Sequence, residues 1–167
     1  MRKIAPLGVL VGALLCSFAV PADAAAGQKY CVAVTSADKQ NTVMTCDSRQ
    51  NSPKLKAASA SAAAAATLLM TWYDNWHYNT DNGWINWYGY AGTCDSSGYV
   101  VDLDATNFTA WRNRISSFEV HGSCGYTVAY VQDHNPNSSS NGYKGDTWYV
   151  DDEFNDRINR FRVRTFN

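Results

Sequence analysis

Asn113-Arg114-Ile115-Ser116-Ser117-Phe118-Glu119-Val120 aligns without a gap on Asp156-Arg157-Ile158-Asn159-Arg160-Phe161-Arg162-Val163, and four of the eight positions are identical. In both copies Phe and Val alternate with polar residues, the pattern of a strand buried on one face. Arg160, Arg162 and Arg164 then share the other face of the second strand and read as a solvated surface. A plausible opening strand leads each copy, Met70 to Asp74 in the first and Thr127 to Gln132 in the second. Two copies of a four-stranded antiparallel unit predict a sandwich, because each sheet must bury its apolar face against another.

Outward from the repeat, the chain from Leu68 onward is rich in aromatic and β-branched residues punctuated by Gly, Asn, Asp and Ser, the pattern of an all-β domain with many turns. Between Trp72 and Tyr90, eight of nineteen residues are aromatic. Asn82-Gly83 suits a turn with positive φ joining strands near residues 68–74 and 84–88. Alternation puts Trp72 on one face of the first strand and Tyr73 on the other; on the next, Trp84 and Tyr88 oppose Ile85 and Trp87. Both faces carry aromatics, and a two-layer sandwich buries only one. At least one of Trp72, Trp84, Trp87 and Tyr88 is therefore expected to be exposed and to form a binding surface.

Upstream, Lys29-Tyr30-Cys31-Val32-Ala33-Val34 and Thr42-Val43-Met44-Thr45-Cys46-Asp47 read as a hairpin. After Pro53, eight of the eleven residues from Ala57 to Thr67 are Ala, which suits a helix over 54–67 or a flexible linker. Residues 1–24 combine a basic start (Arg2, Lys3), an apolar run from Leu7 to Val20 and the small-residue end Ala22-Asp23-Ala24. This is the pattern of a signal peptide cleaved after Ala24, and the run is shorter than the roughly 20 residues a spanning helix needs. The expected location is extracellular.

Of the five Cys, Cys16 falls within the leader, and Cys31, Cys46, Cys94 and Cys124 remain. An even number in an oxidising compartment reads as two disulfides with three possible connectivities; local pairing, Cys31 with Cys46 and Cys94 with Cys124, is the expectation. No Cys-x-x-Cys pair supports a zinc site. The net charge of -1 from 14 Lys+Arg and 15 Asp+Glu leaves no surplus for a phosphate backbone, so no nucleic-acid partner is expected.

No arrangement points to catalysis. The three His (His77, His121, His134) form no metal-binding helix motif, no Gly-x-Ser-x-Gly elbow is present, and Asp151-Asp152-Glu153 reads as a solvated acidic turn. The chain reads as a non-enzyme.

The doubled Asn/Asp-Arg-Ile-x-x-Phe-x-Val ending resembles the βγ-crystallin double Greek key over residues 68–167, with one key over about 68–122 and the other over about 123–167. The Cys-bearing extension resembles small secreted actinobacterial members, some of them metalloproteinase inhibitors and others killer-toxin-like proteins. The resemblance implies a non-catalytic binding or structural protein, possible calcium sites, and as alternatives a proteinase inhibitor or a cell-wall, carbohydrate-binding or toxin-like module. The implied partners are a secreted proteinase or a cell-wall polysaccharide, with the protein a monomer.

The family's calcium signature is two Asn/Asp, any two residues, Ser/Thr and Ser. Arg112 departs from it in the first copy, where Asn113, Ser116 and Ser117 fit; Asn159 and Arg160 depart in the second, where Asn155 and Asp156 fit. The resemblance implies side-chain oxygens from Ser116 and Asn159, with the carbonyls of Arg114 and Arg157 beside them. Asn113 and Asp156 alternatively fix their loops through backbone amides. A disulfide-held loop over Cys94–Tyr99, with Asp95 and Ser96 at its tip, is the expected inhibitory contact; the longer loop from Asp133 to Gly145 is too rich in Ser and Gly to be stiff. The aromatic cluster leaves three roles open: core, sugar stacking, or protein anchoring.

Overall fold

The computed structural model describes residues 28–103, 109–131 and 139–166. The expected leader, His134 and the first part of the Asp133–Gly145 loop lie outside the described residues. In chain order the elements are β1 (Tyr30–Thr35), β2 (Thr42–Asp47), α1 (Pro53–Ala65), β3 (Thr67–Tyr73), β4 (Trp84–Gly89), β5 (Tyr99–Asp102), a short 3-10 turn (Thr109–Trp111), β6 (Ser117–Val120), β7 (Tyr126–Val131), β8 (Ser139–Lys144) and β9 (Arg160–Arg164).

Two sheets form, ordered β2-β1-β4-β3-β6 and β5-β9-β7-β8. Each repeat contributes β-strands to its own sheet and sends its third strand to the other. β5 follows β3 and β4 in sequence yet pairs with β9, opposite the second repeat. The second repeat returns the exchange through Thr147, whose N–H donates to the Phe118 carbonyl at 2.9 Å while Phe118 N–H donates to the Thr147 carbonyl at 3.0 Å. Three strands beside one another and a fourth that crosses over make a Greek key. The chain has the expected all-β, βγ-crystallin-like double Greek-key sandwich.

The repeat puts equivalent residues into one core. Ile115 and Ile158 are both buried, and Phe118 meets Phe161 edge to face with ring centroids 5.6 Å apart. Phe161 in turn lies 4.5 Å from Trp72, which packs on Trp87 at 4.7 Å. The outward face of β9 carries Arg160 and Arg164 stacked over Tyr130 and Tyr126 of β7, as the alternation predicts.

The N-terminal hairpin extends the first sheet: β1 pairs with β2 antiparallel and with β4 parallel. Its strands carry the Cys31–Cys46 disulfide, and Cys94–Cys124 ties the loop before β5 to the end of the first repeat, both as expected. The Ala-rich segment is a helix. Ser52 caps it by accepting from Leu55 N–H at 3.2 Å, and Pro53 sits in the first turn, where its missing N–H removes no helical bond.

This helix overturns the exposure expected of the β3–β4 hairpin. Leu55 and Ala62, seven residues apart and so on one face, pack with Val32 and Tyr88 on the outer side of the first sheet, where half-buried Trp84 also lies. Trp72 and Trp87 fill the inner core. Trp72, Trp87 and Tyr88 are all buried because the sheet is covered on both sides, a third layer that two-layer reasoning leaves out. The small alanine face lets the helix approach closely enough to do this.

Candidate functional site

The loop between β3 and β4, residues 74–83, closes one end of the sandwich. It is pinned from below by the first repeat. Ser117 Oγ donates to the Asn75 carbonyl at 2.6 Å and accepts from Tyr78 N–H at 3.2 Å, while Ser116 Oγ donates to the Asp74 carbonyl at 3.0 Å. Arg114 crosses under the loop, with Nη2 2.6 Å from Asp74 Oδ2 and 3.3 Å from the Asn82 carbonyl, and its guanidinium lies over the Trp111 ring. Consecutive left-handed residues, His77 at φ 53° and Tyr78 at φ 57°, turn the chain sharply. Such backbone persists in non-glycine residues only where the surroundings hold it.

The turn lifts aromatic side chains to the rim. Trp76 is 58% and Trp148 52% exposed, and the imidazole of His77 lies between them, stacked on Trp148 at 4.7 Å and 5.3 Å from Trp76. His77 N–H donates to the Trp148 carbonyl at 2.8 Å, so the two loops are joined by backbone as well as by rings. Tyr149 completes the wall, 6.4 Å from Trp76. Its hydroxyl donates to Asp152, and chiefly that bond pushes the phenol up to about 12. Between these rings lies a cleft of about 610 Å³ whose remaining lining is carboxylate, amide and hydroxyl, with no aliphatic side chain.

At the floor, Ser116 Oγ is 3.5 Å from Asp156 Oδ1 and bonded to the Asp74 carbonyl. Partial burial, and then the charge of Asp74, raise the Asp156 carboxyl above its usual range. Hard oxygen donors from both repeats converge here, which fits a calcium ion in kind; the full shell is six to eight oxygens. Among the described residues no three His, Cys, Asp or Glu side chains form a metal-binding group, so a cation here relies on the hydroxyl and carbonyl as well.

In the second motif the loop equivalent to residues 74–83 lies partly outside the described residues. Asn159 is buried, with its N–H donating to the Tyr130 carbonyl and its carbonyl accepting from Leu103 N–H. Arg157 donates to the Glu153 carbonyl at the surface, and Arg160 lies over Tyr130. Asn113 and Asp156 serve their loops through left-handed backbone, at φ 58° and 55°. Of the residues expected to hold calcium, the structure gathers Ser116 and Asp156 and places Arg114 beneath them.

The loop over Cys94–Tyr99 is exposed at Asp95 and Ser96 and is braced. Asp95 Oδ1 accepts from Ser97 Oγ at 2.6 Å and Gly98 N–H at 2.7 Å, and Lys39 reaches the carboxylate at 3.1 Å. These bonds, the Ser97 hydroxyl foremost, hold the Asp95 carboxyl well below the usual range.

Trp76, Trp148 and Tyr149 were not singled out as surface residues by strand alternation, because they lie outside strands. A usable signal exists all the same: both Trp sit among turn formers, Asp74-Asn75-Trp76 and Asp146-Thr147-Trp148, where a core aromatic has no sheet to stand on.

No family model matches the chain, and no curated protein matches its sequence. Among solved structures, a βγ-crystallin domain from Clostridium beijerinckii is 19% identical, with 59% of this chain and 99% of that one covered at a TM-score of 0.42. The N-terminal domain of protein S is 13% identical, over 58% and 96% of the two chains, at a TM-score of 0.39. A βγ-crystallin domain from Flavobacterium johnsoniae is 19% identical, covers 58% of this chain and 94% of that one, and has a TM-score of 0.40.

Proposed function

We propose that the protein is a secreted, non-catalytic binding module whose loop end responds to calcium. The observation that carries the reading is the convergence of Ser116 Oγ, Asp156 Oδ1 and the Asp74 carbonyl, contributed by both repeats at one point. A cation there joins the two halves of the sandwich and relieves the repulsion between Asp74 and Asp156. Ser116, Asp156 and the Asp74 carbonyl hold it; Arg114 keeps the Asp74 side chain oriented. Two disulfides suit an oxidising compartment.

A ligand that binds only the folded state raises stability by mass action, by about 2.7 kcal/mol at a hundredfold excess over Kd. Melting the protein with EGTA and with millimolar calcium tests this directly. A rise in Tm that Ser116→Ala abolishes is expected; an unchanged Tm together with a flat calorimetric titration refutes it.

The braced loop at Asp95–Ser97 favours a second reading, inhibition of a secreted proteinase. A rigid exposed loop beside a disulfide loses little freedom on binding. Its test is a panel of metallo- and serine proteinases, with Asp95→Ala as the variant expected to weaken any inhibition found.

A further inference from the structure

The rim of the cleft carries chemistry that calcium does not use. Trp76 and Trp148 are the largest exposed aromatic side chains among the described residues, they stand on two different loops, and His77 bridges them. An exposed indole at the surface of a small domain forfeits the burial that Trp72, Trp87 and Trp111 obtain. Here two of them are held in place by a strained turn, a backbone hydrogen bond and a ring stack. The platform is therefore preorganised, and binding to it loses little conformational freedom.

What lies beneath the rings selects the ligand. A groove for an apolar side chain or an amphipathic helix has an aliphatic floor. This one has Asp74, Asn82, Asp152 and Asn155 instead, and its volume of about 610 Å³ falls within the range of small-molecule sites. Asn155 Oδ1 is buried and accepts no hydrogen bond from the described residues, although its amide nitrogen donates to Asp156. The acceptors that the cleft presents to a ligand are those of Asp74, Asn82 and Asp152. Rings above, and acceptors below, match a molecule with a C–H face and a girdle of hydroxyl donors.

We infer that the Trp76–Trp148 cleft binds a neutral oligosaccharide, with pyranose faces stacked on the two indoles and hydroxyls donated to Asp152 and Asn82. The charge of the site sets the class. Asp74, Asp152 and Asp156 line the cleft, among the described residues no Lys or Arg lines it, and Arg114 pairs with Asp74 from outside the lining, so a glycan bearing carboxylate or sulfate meets like charge. The platform and the calcium floor share the cleft but not their atoms: stacking rests on Trp76 and Trp148, the cation on Ser116 and Asp156.

The experiment is isothermal calorimetry of the mature, disulfide-intact protein with cellohexaose, chitohexaose, laminarihexaose and maltohexaose, with polygalacturonate as the acidic control, each in EGTA and again in calcium. At least one neutral hexasaccharide is expected to bind in EGTA, to protect exposed Trp from acrylamide quenching, and to bind at least tenfold more weakly to Trp76→Ala and to Trp148→Ala. Both positions are half exposed or more, so the variants are expected to stay folded, and the Tm of each, measured alongside, separates a loss of binding from a loss of fold. The inference is overturned if no neutral hexasaccharide binds at millimolar concentration, if binding survives both substitutions, or if the acidic polymer binds better than the neutral ones. Because the arms in EGTA contain no calcium, failure of the calcium reading leaves this result standing, and the reverse also holds.

Discussion

Asn113 and Asp156 occupy the same place in the two repeats, share the left-handed conformation, and each donates its backbone N–H to the isoleucine carbonyl of the other repeat, Asn113 to Ile158 at 3.1 Å and Asp156 to Ile115 at 3.4 Å. The pair of bonds relates the two Greek keys as a local twofold axis would. Asn and Asp are the non-glycine residues that enter this conformation most readily. Asn113→Gly should therefore leave stability nearly unchanged, while Asn113→Ala should lower it by about 1–2 kcal/mol in urea unfolding. Equal losses in both variants would show that the side chain, and not the backbone conformation, is what matters at 113.

A carboxyl raised in the folded state lowers stability wherever it is ionised. For Asp156 that contribution is absent below the ordinary carboxylate range, near pH 4, and appears as pH rises through the elevated value. Without calcium, Asp156→Asn should accordingly raise Tm at pH 7 and match the wild type at pH 3. With calcium the order should reverse, because the variant loses a charged donor. Melting curves at the two pH values, in EGTA and in calcium, check both signs.

Trp72 and Trp76 stand four residues apart on opposite sides of the core boundary. Trp72→Ala removes a fully buried indole in contact with Trp87 and Phe161 and should cost about 3–5 kcal/mol. Trp76→Ala should fall within about 0.5 kcal/mol of wild type, as exposed substitutions do. Guanidinium unfolding with unchanged m-values compares them on one scale.

Cys94–Cys124 closes a segment with a sequence separation of 30 and Cys31–Cys46 one of 15. The chain-entropy estimate gives about 3 kcal/mol for the shorter closure and slightly more for the longer. Replacing Cys94 and Cys124 together by Ser should thus lower Tm at least as far as replacing Cys31 and Cys46. Peptide mapping without reductant should recover the two pairs separately.

The repeat announces the double sandwich because equivalent positions, Ile115 with Ile158 and Phe118 with Phe161, must enter one core, and pattern alone conveys that. Local spacing likewise indicates the hairpin and both disulfides. What pattern cannot convey is which sheet face a distant element covers. Alternation puts aromatics on both faces of the β3–β4 hairpin and so calls for one exposed face; α1 covers that face at Trp84 and Tyr88, and α1 has so weak a polar-apolar contrast that nothing in its own sequence directs it there. The cleft is hidden for a different reason. The aromatic rim comes from two loops more than sixty positions apart, with Ser116 contributed from a third segment beneath, and the exchange at Thr147 is what brings Trp148 to His77. That Ser116 meets Asp156 is not legible in the spacing, since the two belong to different repeats and are brought together by the fold; that Asn159 is buried goes with its backbone bonds to Tyr130 and Leu103.

The exchange of third strands also governs the order in which the chain can acquire structure. When β3, β4 and β6 have been synthesised, the sheet they form still lacks its neighbour at Thr147, and β5 has no partner until β9, some sixty residues further on, has been made. Pairings so distant along the chain form slowly, because a long loop must close before any contact rewards it. Neither key is therefore a nucleus that completes itself. Truncation before β9 should accordingly leave β5 and β7 without their shared neighbour and yield an unfolded chain rather than one folded half.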